Sequence, residues 1–329
     1  MQIVEVDGRD PVVFEKFFAV RDQVRRTEQE FPVGLAMPEA RGLFTADSPD
    51  ERSNGLGLVD GDTWLGMVWL DWWLSENTHA LDVEIAVDPR FRRQGVASRL
   101  LEEVIKRAHA DGRTLLTGSV IAKAATGASS GTAFAEARGF VQKHTELHQV
   151  IELPLDESVI VGLERAVPGY ELVQWTDLTP DAWLAEFADA YTTMSRDVPH
   201  GDRSVEVQVW TPERLAAREA WRVEQGRFTQ TTVAVDADGR LAAYTQMSGN
   251  RAAPERLFQN DTFVRREHRG RGLGIAVKIP NLKALQASLE QPAVVHTWNA
   301  PENAPMIAVN AKLGFRASDH RVAFERELS

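Results

Sequence analysis

The chain has 329 residues, no cysteine and a formal net charge of −11. That length is too great for one compact core and comfortable for two. The missing cysteines exclude disulfides, thiolate catalysis and cysteine-based zinc or iron–sulfur sites, and they suit a reducing cytoplasm. The acidic balance disfavours nucleic acid and favours cationic small molecules.

The start, Met1-Gln2-Ile3-Val4-Glu5-Val6-Asp7, alternates and is acidic, without the basic start and apolar run of a signal peptide. No stretch approaches the apolar length of a membrane span. Trp69, Trp72 and Trp73 cluster on an expected third strand, where core packing explains them. A strand is expected at Ala80-Leu81-Asp82-Val83-Glu84-Ile85-Ala86-Val87, then the loop Arg92-Arg93-Gln94-Gly95-Val96-Ala97. Val96, Leu100, Leu101, Val104, Ile105 and Ala108 recur at helical spacing after it. A short strand at Leu115-Leu116-Thr117, a helix ending in Gly139-Phe140 and a strand over residues 145–153 complete the pattern.

Residues 154–169 read as a linker between a first domain, 1–153, and a second, 170–329. The second opens with a strand at Tyr170-Glu171-Leu172-Val173. Helices over 179–194 and 211–225 each start at a Thr-Pro pair suited to N-cap and N1. A hairpin follows, with strands 231–235 and 241–247 about an Asp-Gly turn. Then the earlier pattern returns. The strand Asn260-Asp261-Thr262-Phe263-Val264 leads to Arg269-Gly270-Arg271-Gly272-Leu273-Gly274, and a helix carries Ile275, Ile279, Leu282, Leu285 and Leu289. Pro280 is expected to kink that helix or sit near its first turn. A strand at Ala293-Val294-Val295, a helix ending in Lys312-Leu313-Gly314-Phe315 and a strand over 321–328 close the chain. Gly95 and Gly272, and Gly139 and Gly314, recur at nearly one offset, so the chain is read as two copies of one pattern.

A glycine loop joining a strand to a helix N-terminus exposes backbone N–H groups, and the helix dipole adds partial positive charge. Glycine permits close approach of a bulky anion, and arginine adds charge-assisted bonds. The loops therefore suit a pyrophosphate. A dinucleotide-binding Gly-x-Gly-x-x-Gly or a Gly-Lys-Ser/Thr phosphate loop is absent.

Val87-Asp88-Pro89-Arg90-Phe91-Arg92-Arg93-Gln94-Gly95-Val96-Ala97 and His268-Arg269-Gly270-Arg271-Gly272-Leu273-Gly274 resemble the Arg/Gln-x-x-Gly-x-Gly/Ala loop of the GNAT superfamily of N-acetyltransferases. The helix from Asn303 to Gly314-Phe315 is similar to the family's asparagine-containing helix. The resemblance covers nearly the whole chain as a tandem pair. It implies a mixed α/β fold: a mostly antiparallel central sheet flanked by helices, twice over. It also implies acetyl-CoA as co-substrate, in a V between the fourth and fifth strands. The acceptor would be a primary amine, expected on a small molecule, attacking the thioester directly. No nucleic acid, membrane or metal is expected, and the protein is expected to be a cytoplasmic monomer or homodimer.

By the same resemblance Val87, Arg92, Arg93, Gln94, Gly95, Val96 and Ala97 would bind the co-substrate in the first copy. In the second, Phe263, Val264, Arg269, Gly270, Arg271, Gly272, Leu273, Gly274, Asn303 and Asn310 would do so. The fourth-strand N–H groups would polarise the thioester carbonyl, a carboxylate would take the ammonium proton, and a tyrosine would protonate the leaving thiolate. That tyrosine position holds Ala135 in the first copy and Asn310 in the second; Ala128 stands where the second copy has Asn303. The first domain is therefore read as degenerate.

Asp261 and Glu84 occupy matching positions on the fourth strands and are candidate bases, Asp261 preferred. Asn260 alternates to the other face. Tyr244 is the candidate replacement acid. His296 is in range by ordinary pKa, and His268 is expected at the surface beside its loop. On a strand His144 and His148 would lie roughly 13 Å apart, too far to share a metal. Two further readings stay open: tRNA-dependent aminoacyl transfer, against which the acidic charge argues, and a non-catalytic acyl-CoA-binding module.

Overall fold

In the computed structural model, residues 1–123 and 127–328 are described. They form two compact units, one of residues 1–146, 200–206 and 318–329, the other of 147–199 and 207–317. No helix among them is long and apolar enough to cross a membrane.

In the first unit β1 (Gln2–Val6) leads to α1 (Pro11–Glu28). Asp10 caps that helix by accepting the backbone N–H groups of Val12 and Val13, and Pro11 supplies a preset φ at N1. α2 (Met37–Thr45), β2 (Glu51–Asp60), β3 (Thr63–Trp73), β4 (Ala80–Val87), α3 (Val96–Ala110), β5 (Leu115–Lys123) and α4 (Ser130–Ala137) follow. Then β6 (Val141–Leu153) leaves for the second unit from Leu147 onward. There the chain forms α5 (Glu157–Leu163), β7 (Tyr170–Thr176), α6 (Leu184–Asp197), α7 (Pro212–Glu224), β8 (Arg227–Asp236), β9 (Leu241–Asn250), β10 (Ala253–Val264), α8 (Leu273–Ala287), β11 (Ala293–Asn299) and α9 (Ala304–Leu313). The last strand, β12 (Arg316–Glu327), returns to the first unit from Ser318.

Strand order shows the repeat. It is β1-β2-β3-β4-β5-β12 in the first unit and β7-β8-β9-β10-β11-β6 in the second. Among the described residues of each unit, only β4 with β5 and β10 with β11 pair in parallel. The repeat is real, but the copies trade their final strands. Asp319 to Glu327 pair with β5, while Leu147 to Leu153 pair with β11. The expected boundary of 153/170 therefore does not divide the two cores. Nor is 154–169 a bare linker: Asp156 caps α5, Ile160 is buried, and the Gln286 amide both donates to and accepts from the Leu155 backbone.

Each sheet buries both faces. In the first unit Val96, Leu100, Leu101, Val104 and Ala108 of α3 cover one face, and Phe14, Phe17 and Val20 of α1 cover the other. In the second, α5, α8 and α9 bury Ile160, Ile279, Leu282, Leu285 and Leu313, while α6 and α7 bury Phe187, Ala190 and Leu215 across the sheet. Removing one such leucine side chain from water contributes about 1.5–3 kcal/mol. Trp69 and Trp72 are core residues, as expected; Trp73 is half-buried. Thr211 caps α7 as expected. Thr179 does not cap α6, because its hydroxyl and N–H are taken by Glu219.

Candidate active site

In each unit the fourth and fifth strands begin in parallel and then part. β4 pairs with β5 only from Ala80 to Asp82, although both strands continue well beyond. β10 pairs with β11 only from Arg256 to Phe258. Each parting leaves a fork, and the glycine loop lies at the end of its near arm.

The loops are built alike. Gly95 and Gly272 cap α3 and α8 in the left-handed conformation, with φ of 81° and 79°. Among the described residues, a Cβ added to Gly95, Gly270 or Gly272 would meet no atom within 4 Å, so the cradle in front of both helices is open. This fits a pyrophosphate, and the backbone N–H groups at each helix start would hold it. The first loop arginine of each copy serves the loop itself. Arg92 donates to the Val87 carbonyl and pairs with Glu28 at 2.7 Å; Arg269 donates to the Val264 carbonyl and pairs with Asp197 at 2.8 Å. Arg93 is left-handed, φ 61°, where the second copy has Gly270. That conformation strains a side-chain-bearing residue and suits glycine. Val96 and Leu273 are buried, and Arg93, Gln94 and Arg271 are exposed. Arg271 donates to the Tyr170 hydroxyl, which also bonds His268.

The forks differ at the fourth strand. β4 runs against β3 without a shift from Leu81 to Val87. In β10 the register slips: Gln259 faces Met247 and Thr262 faces Thr245, so Asn260 and Asp261 together oppose Gln246. This is a β-bulge, which re-aims side chains and frees backbone groups from the ladder. The Gln259 amide holds it, donating to the carbonyls of Gln246 (2.9 Å) and Asn260 (3.1 Å). Asn260 turns outward to Ser248. Asp261 is half-buried; burial raises its pKa, and Arg218 and Arg222 on α7 oppose the rise. The same arginines line a small recess with Tyr191, Glu219 and Gln246.

Glu84 is engaged in ion pairs rather than open as a base. Its carboxylate takes Arg21 at 2.6 Å and Arg25 at 3.1 Å, and although burial opposes them the two guanidinium groups hold its pKa down at about 2. Tyr244 is fully buried among Phe187, Tyr191 and Phe263. Burial first, then Asp261 and Tyr191, push its pKa up, and among the described residues its hydroxyl has no hydrogen-bond partner. It is a core residue beside Asp261 rather than a group open to the fork. Burial, then His148 and Arg256, push His296 down to about 3; it lies 3.0 Å from His148 Nε2 and stays neutral. Phe263 is buried, Val264 half-buried, and Asn303 begins α9 without a side-chain cap. Pro280 lies inside α8.

Three residues were missed by the sequence reading. Gln259 holds the bulge. Lys278 on α8 is buried and donates to Asn310 Oδ1 at 2.8 Å. Asp82 lies at the opening of the first fork, bonded by Thr117 and opposite Asp71 on β3. Burial raises both carboxyls, Asp71 to about 7. Lys278 alone left a trace: it interrupts the apolar stripe between Ile275 and Leu282.

The Acetyltransferase (GNAT) family model matches residues 21–140. It thus falls on the copy that lacks the bulge. The chain is 28% identical to mycothiol acetyltransferase of Acidothermus cellulolyticus, over 98% of this chain and 94% of that protein. It is 29% identical to mycothiol acetyltransferase of Pseudarthrobacter chlorophenolicus, over 74% and 69%. Among solved structures it is similar to a tandem GNAT protein from the clavulanic acid biosynthesis pathway, with 26% identity, a TM-score of 0.83 and coverage of 99% and 98%. The fold also matches a GCN5-related N-acetyltransferase from Sphaerobacter thermophilus at 16% identity and a TM-score of 0.69, over 99% and 95%. Forked sheets, glycine-capped helices and these likenesses agree: residues 21–140 match the acetyltransferase (GNAT) family, and the chain as a whole is similar to tandem GNAT proteins.

Proposed function

We propose that the second unit transfers an acetyl group from acetyl-CoA to the primary amine of a small molecule, by direct attack within one ternary complex. The bulge in β10 carries this reading. It sets Asp261 at the fork and takes backbone groups out of the ladder next to it, where an N–H can polarise an acyl carbonyl. Residues 269–274 would hold the pyrophosphate. Asp261 would take the ammonium proton, and its raised pKa brings it nearer to the acceptor's working range. The name of the curated relatives, mycothiol acetyltransferase, supports acetyl as the group moved.

The experiment is steady-state turnover with acetyl-CoA over a panel of small amines, beside calorimetric CoA binding, for wild type and Asp261→Asn. The expected result is a fall in kcat/KM on the order of 10²-fold with CoA affinity nearly unchanged. Normal turnover by the variant would place the base elsewhere. A second site is the first fork, favoured by the family match at residues 21–140 and by the raised Asp82 and Asp71 carboxyls. If Asp82→Asn, and not Asp261→Asn, abolishes turnover, the first unit is the catalytic one.

A further inference from the structure

Lys278 is 2% exposed, and Asn310 is fully buried beside it. The lysine Nζ donates to Asn310 Oδ1, and the Asn310 amide donates to Gln149 Oε1 at 3.3 Å, as does that of Asn299. Among the described residues no carboxylate lies within ion-pair distance of Lys278; its Nζ also lies 5.9 Å from the Phe315 ring. A buried cation without an anion is costly, because one amide dipole replaces little of its hydration.

The fold does not need this cost. Counting from the loop glycines, Leu101 stands in the first copy where Lys278 stands in the second; counting from the Gly-Phe pairs, Ala135 stands for Asn310. Both counterparts are buried and apolar. The second copy has therefore exchanged an apolar pair for a lysine and an amide with no gain inside the protein. Such a group is explained by an anion that arrives with a ligand.

Its place indicates which anion. Lys278 lies six residues into α8 from Gly272, about 9 Å along the helix from the phosphate cradle. Asn299, in the same polar cluster, ends β11 on the far arm of the fork. We propose that Lys278, held by Asn310, binds the sulfur of the acyl donor in the second unit and supplies the positive charge against which the thiolate leaves. The inference rests on the second unit being the acyl-transfer site. In the transfer, the amine nitrogen bonds to the acyl carbon and its proton passes to the base. The C–S bond breaks with its electron pair on sulfur, and the thiolate is paired by the lysine ammonium.

Burial alone lowers the Lys278 pKa, to about 7. None of the ionisable groups on the packed elements acts on it: Glu157 on α5, Asp236 on β8, Tyr244 on β9, Asp261 on β10, Lys312 on α9, or His148 and Glu152 on β6. Ultraviolet difference spectra of the thiolate band test the proposal. They compare CoA with desulfo-CoA at pH 7, on a Gly95→Asp background that disables the first loop. With Lys278 in place, bound CoA should show the thiolate band and bind about tenfold tighter than desulfo-CoA, as a charge-assisted bond implies. Lys278→Arg should keep both and Lys278→Met should lose both. The double change Lys278→Leu with Asn310→Ala restores the first copy's pair; it should fold with an undiminished Tm and lose both signals. A band that persists in Lys278→Met, or is absent from the parent with CoA bound, overturns the proposal. If Gly272→Asp leaves CoA binding intact on this background, the placement of the site in the second unit fails instead.

Discussion

Glu84 neutralises two guanidinium groups, and its loss leaves Arg21, 8% exposed, without a counter-charge. Because the carboxylate is about one-third open to solvent, Glu84→Gln should cost about 2 kcal/mol, less than a fully buried pair. The sign with pH follows from its lowered pKa. The contribution is complete above the ordinary value of 4.5 and is lost as pH falls toward about 2. The variant should be less stable at pH 7 and should lack that part of the acid slope, measurable by denaturant titration from pH 7 to 3. His296 adds a slope of its own. Its folded pKa of about 3 lies below the ordinary 6.5, so the unfolded chain binds its proton first and stability falls as pH drops through that window. At this scale the sequence was least legible. Glu84 and Asp261 hold matching positions and look alike, yet α1 brings arginines to one while α7 brings them to the rim of the other. Partners supplied by distant elements decide the role, and no local spacing encodes them.

The bulge is an element-scale device with one side chain at its centre. Gln259→Leu removes the donors that satisfy the Gln246 and Asn260 carbonyls. The relaxed alternative is a regular ladder, and a one-residue slip carries Asp261 to the other face. The expected outcome is turnover reduced on the order of 10²-fold, as for loss of the base itself, and a stability loss of about 1–3 kcal/mol. Unchanged turnover would separate the bulge from the chemistry. Helices and loops were legible because glycine spacing and 3.6-residue periodicity survive in the sequence. The bulge was not, since one extra residue in a strand alters neither composition nor alternation enough to be seen. The start of α6 was misread for a related reason: Thr179 has cap chemistry, but Glu219 from α7 claims it.

For the whole molecule, the tandem repeat was legible and the strand exchange was not. β6 and β12 follow equivalent Gly-Phe corners and alternate alike, so either would satisfy the local pattern beside β5 or β11. Pairing choice is a long-range property. A chain ending at residue 315 should therefore unfold the first unit, although that unit is encoded mostly before residue 147, because β5 loses all of β12, its antiparallel neighbour from Asp319 to Glu327. Hydrogen exchange should show amides of β4 and β5 losing protection while those of β9 and β10 retain it. Retained protection in β5 would show that the strand is dispensable. The exchange also sets a timetable for synthesis. The ribosome completes residue 146 long before residue 319, and at about 5–20 residues per second the interval is on the order of ten seconds or more. Throughout it the edge of β5 stands open while β6, the strand of matching pattern, has already been made. The nascent chain must therefore leave that nearer partner aside, or release it, before Asp319 to Glu327 emerge to close the first unit.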